Sequence, residues 1–249
     1  MLGLQCDIMS LTKKGSVKMG EPKEKIKLIM REIIQETSDI YSFVFDVPES
    51  FEWIPGQHGV FRFTDKEIED KDFRIFSFAS IKEEKTMIFS TRIIENPSDF
   101  KKHLLLLKPG DIMTLDGAVG KFILNDYSQI TCVMAGGIGI TPVRSFMKQI
   151  DQLGVNPSLI KVLYSDDRGE FAYEKTLMDI NAKYEGLDLE FISDRNIFTD
   201  KIAEFAAEHQ NSALYYIAGT PGMNSFLTDK LSGLGIEKNR IKTDVFTGY

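Results

Sequence analysis

Apolar positions along the chain follow two rhythms, and the change between them falls near Tyr127. Before it, short segments rich in β-branched and aromatic residues occupy 26–34, 40–47, 60–63, 73–78, 87–94 and 112–115. Several alternate with the period of a half-buried strand, as Phe43, Phe45, Val47 and then Phe61, Phe63 do. Pro48, Pro55-Gly56 and Pro109-Gly110-Asp111 punctuate them as turns, and only 98–107 has helical spacing. This half predicts a compact antiparallel barrel.

After Tyr127, apolar strands at 130–135, 159–164, 187–192, 214–218 and 241–246 alternate with segments of helix length. Val143, Phe146, Met147, Ile150 and Leu153 recur at helical spacing, and Ile202, Phe205 and Ala206 do so later. Repeated β-α units predict a parallel sheet covered on both faces. The expected organisation is a lead-in at 1–24 with no sustained periodicity, expected to be flexible and excluded from the fold, then a barrel domain at 25–124 and an α/β domain at 125–249.

Composition narrows the chemistry. Thirty Lys and Arg against 37 Asp and Glu give the 249 residues a net charge of −7, and the chain has no basic run, which argues against nucleic acid and anionic membranes as partners. No apolar run approaches the roughly 20 residues of a membrane span, and the expected location is cytoplasmic. The two cysteines, Cys6 and Cys132, form neither a CxxC pair nor a cluster-binding set, so a redox centre would have to be an organic cofactor. His58, His103 and His209 are scattered, no metal site is expected, and no G-x-S-x-G, H-E-x-x-H or Walker loop is present.

In an open parallel sheet, ligands bind beyond the carboxyl ends of the strands. The loop after the first of these strands contains Gly136, Gly137, Gly139, Thr141 and Pro142; its glycines allow close backbone approach, and Thr141 and Pro142 suit a helix start that favours anions. After the second strand, Asp166 and Asp167 suit ribose hydroxyls and oppose a 2′-phosphate, while Arg168 or Arg195 would attract one, leaving NADH and NADPH both open. Gly219, Thr220, Gly222 and Met223 form another small-residue turn opening a helix. In the barrel half, Arg74 and two serines interrupt the apolar strand Arg74-Ile75-Phe76-Ser77-Phe78-Ala79-Ser80; the guanidinium suits a diphosphate and the hydroxyls a heterocycle. Taken singly, each segment also reads as a plain turn, a charged surface loop or a buried aromatic strand.

In this order the segments resemble the ferredoxin–NADP(H) reductase superfamily from about Lys25 to Tyr249. Pro55-Gly56-Gln57 is similar to its PGQ loop, Arg74-Ile75-Phe76-Ser77 to its R-x-Y/F-S signature, and Gly117-Ala118-Val119-Gly120 to its G-P-x-G turn with alanine for proline. Gly136 to Pro142 is similar to its G-G-x-G-x-T-P loop, and Ala218-Gly219-Thr220-Pro221-Gly222-Met223 to its C-G-x-x-x-M loop without the cysteine. The resemblance implies a Greek-key FAD-binding β-barrel followed by a Rossmann-like nucleotide domain. It implies an FAD-dependent oxidoreductase that takes hydride from NADH or NADPH, with FAD favoured over FMN by this analogy alone.

By the same resemblance, Arg74 and Ser98 would bind the flavin phosphates, with Arg92 near them, Phe76 would pack on the flavin, and Ser77 would hydrogen-bond near N5, with Phe78, Ala79 and Ser80 adjoining. Asp244-Val245-Phe246 resembles the E-x-Y ending, making Asp244 the nearby carboxylate and either Phe246 or Tyr249 the stacking ring. The expected acceptor is a separate ferredoxin or flavodoxin, with free flavin, ferric complexes or a monooxygenase component as alternatives. Lys101, Lys102 and Lys121 are candidate contributors to a basic docking patch. The rival expectation is a non-turnover flavoprotein relay component of a larger redox complex.

Overall fold

The computed structural model describes residues 25–246. The expected lead-in at 1–24 and the candidate ring of Tyr249 lie outside the described residues.

Six antiparallel strands form the first sheet: β1 (Ile26–Gln35), β2 (Ile40–Asp46), β3 (His58–Phe63), β4 (Phe73–Ser77), β5 (Thr86–Arg92) and β6 (Ile112–Val119), in the order β4-β3-β6-β1-β2-β5. The insertion of β6 between β3 and β1 is a Greek-key connection. The two ends of this order meet through Phe76 of β4 and Phe89 of β5, whose rings stack in parallel at 4.2 Å. Leu28, Phe43, Phe45, Phe61, Phe78, Met113 and Leu115 fill the interior, as the alternation of their strands requires. Trp53 lies beside Phe51 and Phe78 and donates its indole N–H to the Ser80 carbonyl at 2.9 Å. One short helix, α1 (Asp99–Leu105), closes the barrel with Phe100 and Leu104, and Ser98 is its N-cap.

The second sheet is parallel, with β7 (Thr131–Gly136), β8 (Ile160–Ser165), β9 (Leu187–Ile192), β10 (Leu214–Gly219) and β11 (Ile241–Val245) in the order β11-β10-β7-β8-β9. The helices α2 (Ile140–Leu153), α3 (Glu174–Asn181), α4 (Arg195–His209) and α5 (Pro221–Gly233) separate these strands in sequence. Separate apolar clusters pack around Val133, Phe146 and Tyr164 and around Met134, Phe198 and Leu227. None of the described helices is long and apolar enough to cross a membrane.

The two sheets share an apolar seam, because Ile40, Val44, Ala79 and Ile88 of the barrel and Phe122 and Leu124 of the connector join the cluster around Phe146 and Tyr216. Burying such side chains contributes roughly 2 kcal/mol each. Gly56 sits at φ 89°, where a side chain is strained, and a Cβ there would overlap the Phe122 carbonyl; its N–H donates to Ser145 Oγ at 3.2 Å. The seam also holds a buried charge. Arg144, on the apolar face of α2, donates to the Ala79 carbonyl at 2.7 Å and forks onto Glu84 at 2.8 and 3.0 Å. Its guanidinium lies 5.3 Å from the centre of the Tyr173 ring, and the Tyr173 hydroxyl bonds to Ser42 and Ser90 of the barrel.

Candidate functional site

A cavity of about 890 Å³ opens beyond the carboxyl ends of β7, β8 and β10. Gly136 and Gly137, Ser165 to Arg168, and Thr220, Gly222 and Met223 line it from the parallel sheet; Asp39, Arg92 and Ile94 line it from the barrel. Its size is that of a cofactor pocket. The glycines after β7 serve different ends. Gly137, at φ 53°, faces Arg92, and a Cβ there would stand 3.3 Å from Nη2. Gly139 faces away from the cavity, where a Cβ would overlap the Ala218 carbonyl, so it sets the packing of β7 against β10. Thr141 does not cap α2: Gly139 holds the N-cap position, and the Thr141 hydroxyl donates to the Ile138 carbonyl at 2.7 Å. Thr141 and Pro142 are buried and stand behind the cavity wall.

The turn after β10 forms a helix cap. Thr220 Oγ1 accepts from the Met223 N–H at 3.3 Å, and Pro221 takes the first turn of α5, where its missing N–H costs nothing. Met223 lies against Gly136 and Gly219, where Cβ atoms would strike its sulfur. Asn224 Nδ2 donates to the carbonyls of Gly219 at 2.8 Å and Asp244 at 3.2 Å, tying the ends of β10 and β11 together.

Charge pairs cross the mouth of the cavity. Arg92 Nη2 donates to Asp166 Oδ2 at 2.6 Å, and Arg92 Nε lies 3.6 Å from Asp39 Oδ2. Arg168 forks onto Asp39, with Nη2 to Oδ1 at 2.9 Å. Arg195 Nε donates to Asp167 Oδ1 at 2.9 Å, and this pairing holds the Asp167 carboxyl below the usual carboxylate range. Both arginines that would attract a 2′-phosphate are thus engaged by carboxylates. Asp39 was not legible in the sequence, because Arg168, its forked partner, lies more than a hundred residues away.

On the barrel side, Arg74 Nη2 donates to Ser98 Oγ at 3.1 Å and to both Asp70 oxygens at 3.0 Å. Lys101, expected on a surface patch, is instead only 7% exposed. The helical spacing that buries Phe100 and Leu104 also turns Lys101 inward, where its Nζ donates to the Arg92 carbonyl at 2.8 Å. Burial, with Arg74 and then Arg92 nearby, lowers its pKa to about 8. Arg74, the Ser98 hydroxyl and Lys101 thus lie together, a donor set that fits a diphosphate.

Strand alternation decides the rest of the Arg74 segment. Phe76 and Phe78 point into the barrel core, so the Phe76 ring lies on Phe89 and Ile75, 55% exposed, takes the outer face. Ala79 packs in the seam, and Ser80 is buried, its Oγ accepting from the Ile88 N–H at 2.9 Å. Ser77 reaches across to the other domain, where its hydroxyl donates to Asp244 Oδ2 at 2.9 Å. Burial raises the Asp244 pKa, opposed by the Ser77 hydrogen bond and by His58. A second cavity of about 260 Å³ reaches Asp244 between His58, Lys121 and Lys242. Phe246 is partly buried against the seam cluster around Phe146 and Tyr216, and its N–H donates to the Gly219 carbonyl at 2.9 Å.

No family model matches the chain. Among curated proteins it is similar to a component of the Na(+)-translocating NADH-quinone reductase, at 26% identity over 238 residues for Psychrobacter cryohalolentis and 25% over 230 residues for Mannheimia succiniciproducens. Each match covers 82% of this chain and 56% of the relative, so the chain spans about half the length of the curated relatives it matches. Among solved structures it resembles the ferredoxin-NADP+ reductase of Plasmodium falciparum, with a TM-score of 0.77 at 17% identity over 92% of this chain and 99% of that one. It also resembles a cytochrome P450 reductase of Amycolatopsis, with a TM-score of 0.77 at 15% identity, covering 90% of this chain and 70% of that one. The flavohaem-like FAD/NAD binding domain of a Vibrio cholerae nitric oxide dioxygenase gives 0.69 at 18%, covering 90% and 99%. The chain therefore has the two-domain fold of the ferredoxin–NADP(H) reductase superfamily, as the order of its motifs implied.

Proposed function

We propose that the chain is an FAD-dependent NAD(P)H oxidoreductase that passes electrons to a separate acceptor. The observation that carries this reading is the Ser77–Asp244 hydrogen bond, which joins the barrel to the sheet whose strand ends line a dinucleotide-sized cavity. Bound flavin would supply the acceptor for the nicotinamide hydride and the donor for the onward electrons. Arg74, Ser98 and Lys101 would hold its phosphates. Gly136 and Gly137 let a dinucleotide backbone approach β7, and Thr220 and Met223 bound the cavity at β10. Asp39, Asp166 and Asp167 already engage Arg92, Arg168 and Arg195, which favours NADH, since a 2′-phosphate would have to displace a carboxylate from an arginine.

Asp244, with its raised pKa, is suited to hold a proton that the Ser77 hydroxyl can exchange. Phe76 is a core ring in this reading, and Phe246 is the aromatic left to the cleft side. The acceptor we favour is a small electron-carrier protein, ferredoxin or flavodoxin, in the cytoplasm. A second reading, a flavin-bearing relay component of a larger complex, is favoured by one observation: the curated relatives are named as subunits of a reductase.

Anaerobic stopped-flow mixing of the FAD-loaded chain with NADH, and separately with NADPH, tests the proposal. Rapid bleaching of the flavin band is the expected result, faster with NADH. Bound flavin that neither donor reduces would defeat the oxidoreductase reading. Steady turnover of an artificial acceptor by the isolated chain would set aside the relay reading.

A further inference from the structure

The segment joining β3 to β4, residues 64–72, has no regular structure and carries five acidic residues against two lysines. One of the five, Asp70, is held in place although its side chain is still 34% exposed. Both its oxygens accept from Arg74 Nη2 at 3.0 Å, and Oδ2 also accepts from the backbone N–H of Asp99 at 3.0 Å. The clasp is reciprocal, because Asp99 Oδ2 accepts from the Glu69 N–H at 3.0 Å. The same Arg74 nitrogen reaches Ser98 Oγ at 3.1 Å, and Lys101 lies close by. A carboxylate with two or three charge-assisted or backbone donors is chemically close to a phosphate oxygen pair with the same donors.

We infer that Asp70 is an internal surrogate for the cofactor phosphate: it occupies the anion position of the Arg74–Ser98 cradle, and flavin loading exchanges this carboxylate for a diphosphate, releasing the 64–72 segment. This rests on the reading of that cradle as the flavin-phosphate site. Asp70 keeps Arg74 oriented before loading and sets the affinity for phosphate-bearing flavins by competing for the same donors. It has no bearing on a flavin without phosphate, since riboflavin asks nothing of Arg74.

The test uses the full chain, stripped of flavin and titrated with FAD, FMN and riboflavin while flavin fluorescence is followed. Replacing Asp70→Asn keeps the shape and removes the charge, and Asp70→Ser repeats the experiment with a shorter side chain, with circular dichroism confirming that each variant is folded. Both variants are expected to bind FAD and FMN about tenfold more tightly than the parent, with faster association and unchanged riboflavin affinity. Equal or weaker FAD binding, or a shift of the same size for riboflavin, would overturn the inference. A parent that binds FAD, with variants that match it, leaves the flavin reading standing and removes only the surrogate. A parent that takes up no flavin at all removes both.

Discussion

The two ends of the seam between the domains are built from the same kinds of residue and behave differently. At the end formed by α2, Arg144 is only 9% exposed, its guanidinium is satisfied by Ala79 and Glu84, and the Tyr173 hydroxyl bonds into the barrel beside it. At the end formed by the loops after β7 and β8, Arg92 and Arg168 share Asp39 and Asp166 at the edge of a cavity, and the side chains of both arginines remain partly exposed. A buried pair that loses one partner leaves an uncompensated charge, whereas at a part-exposed pair solvent takes up much of what a lost partner leaves behind. The firm end fixes the distance between the sheets; the loose end is where chemistry can be exchanged.

Breaking the firm end should have the largest effect. Arg144→Ala strands Glu84 in the seam and is expected to destabilise the chain by about 3 kcal/mol in urea unfolding. A loss near zero would mean that the seam is held by its apolar contacts alone. At the Ser77–Asp244 contact, Ser77→Ala should cost only about 1 kcal/mol of stability and slow flavin reduction by NADH about tenfold, measured by stopped flow. Wild-type rates in that variant would remove the Ser77–Asp244 pair from the chemistry. A smaller change is expected at the rim: Asp167→Asn frees Arg195 and should raise the ratio of kcat/KM for NADPH over NADH about fivefold. An unaltered ratio would place the ribose elsewhere.

The subtlest contrast is in pH. Burial raises the Asp244 pKa in the folded chain, so its protonated form favours folding. That contribution is complete below the ordinary carboxylate pKa of about 4 and is lost as pH climbs through the raised value. Thermal midpoints of the parent and Asp244→Asn, compared from acid to neutral pH, should therefore diverge in favour of the asparagine as pH rises. Parallel curves would show that Asp244 titrates as it does unfolded.

The strands were legible because their apolar residues alternate or run unbroken between prolines and glycines, and Leu187–Ile192 falls where the pattern puts it. Helix α3 was not legible, since only Leu177 and Ile180 of its eight residues are buried, too few to show a period. Two cations do carry a sequence signal of burial. Arg144 stands one turn after Ile140 and three residues before Met147, on the buried stripe of α2, and Lys101 stands three residues before Leu104. A cation on an apolar stripe marks a buried partner. Asp39 and Asp70 carry no such signal, because a loop carboxylate reveals nothing of the arginine that folding brings to it. The glycine motifs are recognisable by their order, but only the structure separates Gly137, which borders the cavity, from Gly139, which sets packing.

The chain's single tryptophan turns the barrel into its own spectroscopic domain. Trp53 is walled in by Phe51 and Phe78 and tethered to the Ser80 carbonyl, while the largest buried rings of the parallel sheet are the tyrosines at 164, 215 and 216. Red-edge excitation therefore reads the melting of one half of the molecule without the other. In a chain whose firm seam has been cut, the emission of Trp53 and the far-ultraviolet dichroism of the helices should part company along a denaturant ramp, revealing two cooperative units where the intact chain shows one.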